Sequence, residues 1–254
     1  MDFKDKVVLI TGAASGIGEG TARLFSQHNA TVVLADQNVA LLEQVAASLP
    51  AERTWAKQVD VSDAQAMKTL VQEVVDRFGG LDVLYNNAGI HHQGDVTRTA
   101  LEDWNRVMAV DVTGVFNGCK AAIPELAKRK GCIINTSSVS GVGGDISMAA
   151  YNAAKGAITN LTRAMAIDHG RQGIRVNAVC PTMTASGMTK DMLADDATVK
   201  HQLDRVPLGR IATPEDIGKA VLFLASDYAG FVTGVNLAVD GGVTAANGQP
   251  LYEG

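Results

Sequence analysis

A phenol and an ammonium stand four residues apart in AAYNAAKGA, the segment from Ala149 to Ala157, whose other side chains are nearly all small. Residues i and i+4 lie side by side on one face of a helix, so Tyr151 and Lys155 are predicted to be neighbours. A lysine ammonium close to a phenol stabilises the phenolate, and such a pair can take up and release a proton. For Tyr151 alone, an ordinary packing contact of an amphipathic helix would be the simpler interpretation.

A hydroxyl group precedes this pair in IINTSSVSG, the segment from Ile133 to Gly141. Ser138 follows an apolar run that we predict to be a strand. Open α/β sheets bind their ligands at the carboxyl ends of the strands, so a hydroxyl at this place can hold a substrate oxygen. Ser138, Tyr151 and Lys155 occurring in this order, together with the glycine-rich segment described below, favour catalysis over packing.

Short apolar runs alternate with segments of helical period along the whole chain, which is the pattern of repeated βα units. No internal repeat, low-complexity tract or linker interrupts the alternation. We therefore predict an α/β fold over residues 1–254: one Rossmann-like domain, with a doubly wound, parallel, seven-stranded sheet and helices on both faces. The predicted strands are Val7–Thr11, Thr31–Asp36, Thr54–Asp60, Leu81–Asn86, Gly131–Ser137, Ile174–Cys180 and Val235–Asp240.

Two segments lack this regular alternation. Residues 182–207 form a long connection with helical patches, which predicts a substrate loop or lid. Residues 243–254 are polar and have no period, so they form a C-terminal tail that either crosses to a neighbouring subunit or frays. Between the two, Pro214 predicts the start of a helix with Thr213 as its N-cap.

The first predicted strand runs into TGAASGIG, the segment from Thr11 to Gly18, and a helical pattern begins at Glu19. Glycines at this place allow a tight turn and let backbone N–H groups approach a pyrophosphate at the positive end of the helix. The next strand ends in Asp36, close to the spacing at which dinucleotide-binding folds carry an acidic residue. An aspartate that merely starts a turn is the alternative interpretation.

The carboxylate of Asp36 predicts which dinucleotide is bound. It can accept hydrogen bonds from the ribose hydroxyls, and it would repel a 2′-phosphate by about 1 to 4 kcal/mol at close range. Neither Ser15 nor Gln37 is a lysine or arginine that could offset this repulsion. We therefore predict NAD as the cofactor rather than NADP.

Composition excludes several other classes of protein. The chain has 254 residues, of which 46% are hydrophobic and 19% charged, and its net charge is −5. No apolar run approaches the roughly 18 residues of a membrane span, and the acidic balance argues against nucleic-acid binding. We expect a cytoplasmic protein with a small-molecule substrate, without a nucleic-acid or membrane partner. Three widely spaced cysteines predict buried, reduced thiols rather than a disulfide framework or a metal site: Cys119, Cys132 and Cys180.

These motifs together resemble the short-chain dehydrogenase/reductase family over essentially the whole chain. The matching parts are TGAASGIG at 11–18, NNAG at 86–89, Ser138, YNAAK at 151–155, Pro181, and DGG at 240–242. The resemblance implies hydride transfer at C4 of a nicotinamide. In that reaction Tyr151 would be the general acid/base, Lys155 would hold the ribose and stabilise the phenolate, and Ser138 would orient the carbonyl.

The resemblance and the glycine motif also imply the cofactor-binding residues. These are Gly12, Ser15, Gly16, Ile17, Gly18, Asp36, Asp60, Val61, Asn87, Ala88, Gly89, Tyr151, Lys155, Pro181, Thr184 and Ser186.

The chain departs from the family pattern at three positions. Asp111 replaces an asparagine that holds a proton-relay water, and a carboxylate can still bind that water, so Asp111 joins the predicted catalytic residues. Thr182 replaces a glycine. Ser186 replaces a threonine at the nicotinamide carboxamide, and both residues keep hydrogen-bonding groups.

Within the family, local features resemble the 2,3-butanediol (acetoin/diacetyl) dehydrogenases, notably SVSGVGGD at 138–145 and NGQP at 247–250. The resemblance implies a small secondary alcohol and its ketone as substrates. It also implies a homotetramer formed through paired helices at 101–128 and 150–169. Trp104, Val107, Phe116, Leu161 and Met165 would be mostly buried there or in the core. The predicted substrate residues are His91, Ser138, Ser140, Val142, Asn152 and Gln249.

Other functions remain open from the sequence. A 3-oxoacyl-thioester reductase would share nearly all these motifs, but it predicts an NADPH preference and a basic docking face. A dehydrogenase of a cyclic or sugar-derived secondary alcohol is a further alternative. A dinucleotide-binding regulator without turnover is the most remote, since Ser138, Tyr151 and Lys155 are all present.

Overall fold

The computed structural model describes residues 1–247, which form one domain around a parallel sheet in the order β3-β2-β1-β4-β5-β6-β7. The predicted seven-stranded, doubly wound α/β fold is therefore confirmed. Each strand lies within two residues of its predicted bounds at either end. The strands are β1 Val7–Thr11, β2 Thr31–Asp36, β3 Thr54–Gln58, β4 Val83–Asn86, β5 Cys132–Thr136, β6 Arg175–Pro181 and β7 Asn236–Val239.

Helices cover both faces of the sheet. They are α1 Gly16–Gln27, α2 Val39–Ala47, α3 Ala64–Phe78, α4 Leu101–Val107, α5 Gly114–Arg129, α6 Ala149–His169, α7 Lys190–Leu193, α8 Asp196–Leu203 and α9 Pro214–Ala225. Side chains of one strand alternate between two cores: Val8 and Ile10 of β1 belong to the cluster under α1 and α9, whereas Val7 and Leu9 face α3 and α5. A strand buried on both faces explains why its sequence is apolar throughout.

The order of the strands reverses beside β1, because β2 and β4 flank it on opposite sides. Helices that follow these strands pack on different faces, and a crevice opens between the carboxyl ends of β1 and β4. The glycine-rich segment follows β1 and the NNAG segment lies at the end of β4, so both border this crevice.

Two helices differ from their predicted extents. Helix α1 begins at Gly16 rather than Glu19, since Ser15 is its N-cap and the last two glycines lie in its first turn. The helix predicted over 101–128 is interrupted by a π-helical turn, Met108–Thr113, which joins α4 to α5. A π-turn inserts an extra residue into the helix, and this one places Asp111 inside the protein with no exposed surface.

Several smaller expectations can be compared with the structure. Thr213 is the N-cap of α9, and its side chain accepts from the backbone N–H of Asp216, as predicted. All three cysteines are free and buried. Phe116, which we expect to be buried between subunits or in the core, is half exposed on the single chain and therefore does not lie in the core. Within residues 1–247, no helix has both the length and the apolar character that crossing a membrane requires.

Candidate active site

The turn between β1 and α1 brings backbone close to backbone. A Cβ atom at Gly18 would overlap the carbonyl oxygen of Gly12, so this position needs glycine. Ser15 is exposed, and its side chain does not cap the helix. The first N–H groups of α1 therefore have no side-chain acceptor from their N-cap, which leaves them available to an anion.

Asp36 lies at the end of β2 and is joined to this turn. Its Oδ2 accepts from the backbone N–H of Ala14 at 3.0 Å, and its Oδ1 accepts from that of Asn38 at 2.9 Å. These two bonds fix the carboxylate beside the glycine turn. A carboxylate has room for about four hydrogen bonds, so Asp36 keeps the capacity to accept from ribose hydroxyls.

The predicted adenine-side residues follow β3. Asp60 Oδ1 accepts from both the N–H and the hydroxyl of Ser62, and these hydrogen bonds, the hydroxyl's first, hold the pKa of Asp60 below its ordinary value. Val61 is buried, and its carbonyl accepts from Asn117 of α5 at 3.0 Å. The two residues thus lie on a turn anchored to the helix next to it.

The NNAG segment is bonded to the glycine turn through Thr11, whose side chain has no predicted role. The hydroxyl oxygen of Thr11 accepts from the backbone N–H groups of Asn87 and Ala88, at 3.0 and 3.1 Å. The Asn87 amide in turn donates to the carbonyls of Thr11 and Gly12. The position of Thr11 at the end of a buried strand, just before the first glycine, is the sequence feature from which its role could have been predicted.

The far side of the crevice carries Pro181, Thr184 and Ser186. Pro181 ends β6, and Thr184 is buried, with its hydroxyl donating to the carbonyl of Thr182. A Cβ built on Gly16 would lie 2.9 Å from Cβ of Ser186. The start of the 182–207 segment therefore touches the glycine turn.

Tyr151 and Lys155 lie in the first two turns of α6, as the spacing predicts. Nζ of Lys155 is 5.4 Å from the centroid of the Tyr151 ring, and it donates to the carbonyl of Thr136 at 3.1 Å. The same ammonium is 2.9 Å from Oδ2 of Asp111, and 5% of the lysine side chain and none of the aspartate side chain are exposed. Asp111 Oδ1 accepts from the backbone N–H of Ile90.

A buried ammonium is costly unless a counterion accompanies it. Burial alone would lower the pKa of Lys155. Interactions with Asp111, its charge first, and with Tyr151 outweigh it and raise that pKa above the ordinary lysine value. Lys155 is therefore held as a cation beside the phenol. Gly89 closes the other side, since a Cβ there would be 3.0 Å from Asp111 Oδ2 and 3.2 Å from Lys155 Nζ.

Ser138 ends the loop after β5 as the N-cap of a short turn, Val139–Gly141, which packs on α6. Its Oγ donates to Ser140 Oγ at 3.0 Å, and Ser140 donates in turn to the carboxylate of Asp145. Asn152 holds the backbone of Asp145 through both atoms of its amide. The structure thus brings together three predicted substrate residues, Ser138, Ser140 and Asn152, around an aspartate that has no predicted role.

The other predicted substrate residues are placed less specifically. His91 is half-buried in the loop after β4, and Val142 is 46% exposed at the end of the Val139–Gly141 turn. Gln249 lies outside the described residues.

The residues present fit a nicotinamide dinucleotide. A backbone turn too tight for a Cβ, an uncapped helix start and a fixed carboxylate at the end of β2 match the pyrophosphate and ribose of such a molecule. The hydroxyl of Ser138, the phenol of Tyr151 and the ammonium of Lys155 lie on elements that follow β5. In the sheet, β5 is separated from β1 only by β4. The fold and the site together define a dinucleotide-binding oxidoreductase.

Comparisons with known proteins give the same class. Residues 12–244 match the family model described as enoyl-(acyl carrier protein) reductase. The chain is 49% identical over 251 residues to meso-2,3-butanediol dehydrogenase of Serratia marcescens, covering 98% of this chain and 99% of that protein. It is 45% identical over 250 residues to 2-(S)-hydroxypropyl-CoM dehydrogenase 3 of Xanthobacter autotrophicus strain ATCC BAA-1158 / Py2, covering 96% and 98%.

A solved structure shares the fold. The crystal structure of gox2181 superposes with a TM-score of 0.93 at 27% sequence identity, covering 96% of this chain and 98% of that one. The chain belongs to the short-chain dehydrogenase/reductase family, and it is an oxidoreductase that uses a nicotinamide dinucleotide.

Proposed function

We propose that this protein is an NAD(H)-dependent dehydrogenase that interconverts a small secondary alcohol and its ketone, with 2,3-butanediol, acetoin and diacetyl as its substrates. The observation that carries the proposal is the Lys155 ammonium, buried against Asp111 and next to the ring of Tyr151. This arrangement suits proton transfer at a substrate oxygen, which alcohol–ketone interconversion requires.

When bound, the dinucleotide supplies the hydride acceptor or donor. The chain's own groups then manage the substrate oxygen. Tyr151 as the phenolate takes the proton of the alcohol at its phenolic oxygen, and as the phenol it gives a proton to the ketone in the reverse direction. The charge of Lys155 stabilises the phenolate form. Ser138 orients the same oxygen through its hydroxyl. Asp111 keeps Lys155 charged and serves the proton exchange with solvent that follows.

The preference for NAD rests on Asp36. Its carboxylate is fixed next to the glycine turn by Ala14 and Asn38, so it cannot turn away from a 2′-phosphate without breaking those bonds. We expect kcat/KM to be at least about tenfold higher with NAD than with NADP, equivalent to about 1.4 kcal/mol. Steady-state kinetics with both coenzymes measures this, and a preference for NADPH would contradict it.

The choice of substrate is supported by the relative from Serratia marcescens, whose name is meso-2,3-butanediol dehydrogenase and which shares 49% of its residues with this chain. The experiment is an absorbance assay at about 340 nm with a panel of substrates. The panel contains butanediol stereoisomers, acetoin, diacetyl, cyclic and sugar-derived alcohols, and a 3-oxoacyl thioester. We expect the highest kcat/KM for the four-carbon compounds; a preference for the thioester with NADPH would instead support an acyl-thioester reductase.

We further infer a cytoplasmic homotetramer. Phe116 on α5 and Ile167 on α6 expose 50% and 81% of their surface on the single chain, as helices that pair between subunits would. We also infer that residues 182–207, with α7 and α8, close over the substrate. Residues 248–254 of the predicted C-terminal tail lie outside the described residues. Mass measurement in solution tests the tetramer; a monomer would contradict it.

A further inference from the structure

A chain of two hydrogen bonds leads from Ser138 to a carboxylate at the rim of the site. Ser138 Oγ donates to Ser140 Oγ at 3.0 Å, and Ser140 Oγ donates to Asp145 Oδ2. The backbone N–H of Ser140 also donates to Ser138 Oγ at 3.1 Å. Ser138 and Ser140 are buried, whereas Asp145 is exposed.

The position of this carboxylate is set by the catalytic helix. Asn152, the residue after Tyr151 on α6, donates from Nδ2 to the carbonyl of Asp145 at 2.8 Å. It accepts from the Asp145 N–H at 3.2 Å. Asp145 is therefore held relative to Tyr151 by two bonds, rather than by the loop alone.

The directions of the protons in this chain are constrained. An ionised carboxylate can only accept, so the proton of Ser140 is committed to Asp145. Ser140 Oγ can then only accept on its inner side, and Ser138 supplies that bond. When Ser138 turns its proton to a substrate oxygen, the buried Ser140 oxygen loses its donor, and a buried acceptor without a donor is unfavourable.

We propose that a hydroxyl group of the substrate, on the carbon next to the reacting carbon, donates to Ser140 in place of Ser138. The site then selects vicinal diols and α-hydroxy ketones over simple secondary alcohols and over a diketone such as diacetyl, which carries no such hydroxyl. Asp145 is a positioning residue that makes Ser140 an acceptor. The two serine oxygens, 3.0 Å apart, match the separation of the two oxygens of a gauche vicinal diol. This inference rests on the proposed function and narrows its substrate class.

The test compares two alcohols that differ by one hydroxyl group, meso-2,3-butanediol and 2-butanol, with NAD and the whole protein. In the wild-type protein we expect kcat/KM to favour the diol by about 100-fold, because a site built for a hydroxyl rejects an analogue that lacks it. In Ser140→Ala this ratio falls about tenfold. Activity towards the diol declines, while activity towards 2-butanol is unchanged or rises, because no acceptor is then left unpaired.

Asp145 variants separate its orienting effect from general damage. Asp145→Ala lowers the ratio in the same direction, by about three- to tenfold, because the hydroxyl of Ser140 is then free to donate. Asp145→Asn restores part of the ratio, since the amide oxygen can accept the same bond. The double variant with Ser140→Ala shows no further loss, because the two residues act in one chain. Asp227→Ala, which removes an exposed carboxylate elsewhere, leaves both activities unchanged.

Three outcomes overturn the inference. If the wild-type protein oxidises 2-butanol as efficiently as the diol, or if the Ser140 and Asp145 variants lower both activities equally, the inference is wrong and the proposed dehydrogenase function stands. If the wild-type protein oxidises no alcohol of the wider panel, the proposed function is wrong and the inference is wrong with it.

Discussion

The two halves of the site are constructed in opposite ways. The glycine turn, residues 12–18, works through the absence of side chains, because backbone approaches backbone too closely for a Cβ at Gly18. Helix α6 instead contributes a charged side chain that is almost entirely buried, Lys155, which pairs with Asp111 of the Met108–Thr113 turn. A substitution that adds a side-chain atom should therefore do most damage at the glycine turn, and a substitution that removes a charged group should do most damage at the Lys155–Asp111 pair.

The largest effect on activity is expected when the atom that exchanges the proton with the substrate is removed. Tyr151→Phe removes the phenolic oxygen and should lower kcat by at least about 10³-fold, within the range of general acid–base catalysis. The ring remains to pack beside Lys155, so the melting temperature and the affinity for NAD should stay close to the wild-type values. Turnover assays, thermal melts and coenzyme titration measure the three; substantial residual turnover would count against Tyr151 as the acid/base.

A lost counterion should give the largest effect on stability. Asp111→Ala leaves Lys155 buried without a partner and should lower the free energy of unfolding by about 3–5 kcal/mol, and turnover with it. Asp111→Asn keeps a hydrogen-bond acceptor and should lose less. Urea denaturation measures stability, and coenzyme affinity should change little in the Asn variant. Equal stability and turnover in all three proteins would remove Asp111 from the catalytic residues.

An added methyl group tests the other half. Gly18→Ala should lower the free energy of unfolding by about 1–3 kcal/mol, because its Cβ would overlap a backbone oxygen, and it should weaken NAD binding. The matched control is Gly156→Ala, next to Lys155 on α6, where a Cβ would meet nothing within 4 Å. There alanine should stabilise the helix by about 0.5–1 kcal/mol. If the Gly18 variant were as stable as the Gly156 variant, the claim that the glycine turn is too tight for a Cβ would be wrong.

The smallest expected effect concerns pH. The pKa of Lys155 is raised in the folded protein, so the stability it contributes is present below the ordinary lysine pKa of 10.5 and is lost as the pH rises through the raised value. In Asp111→Asn the aspartate charge is lost, whereas burial, which lowers this pKa, and the smaller raising effect of Tyr151 remain. The pKa of Lys155 should therefore fall, and its contribution to stability should be lost at a lower pH than in the wild-type protein. Urea midpoints of the two proteins from about pH 8 to about pH 11 should therefore diverge in slope. Parallel curves would mean that Asp111 does not hold the charge of Lys155.

The fold was predictable because its signals are local and repeated. Most strands are short, largely apolar runs bounded by polar turns, β3 with its Lys57 and Gln58 being the exception, and β1, β2 and β6 match their predicted bounds to within a residue. The start of α9 was likewise predictable, because Thr213 as N-cap and Pro214 as first residue are adjacent in the sequence. The π-turn at Met108–Thr113 could not be predicted in this way, because the extra residue shifts the phase of the helix by about 100° at a single point that no residue type marks.

Within the site, the order and types of the residues predicted which groups meet, but not how they are bonded. The family pattern implies that Asp111 binds a relay water, and the structure adds a direct ion pair with Lys155 that the spacing did not predict. Asp145 is seven residues from Ser138 in sequence, and no spacing rule links them; the link depends on Ser140 and on the amide of Asn152.

By itself, the sequence determined the alternation of strands and helices, the glycine turn with its acidic partner Asp36, and the shared helical face of Tyr151 and Lys155. These features depend on backbone geometry over a few residues, which side-chain type and spacing control directly. Only the tertiary structure decided that Asp111 neutralises Lys155 and that Asp145 orients Ser140. Such contacts join residues on separate elements, and the burial that makes their charges matter exists only once the chain has folded.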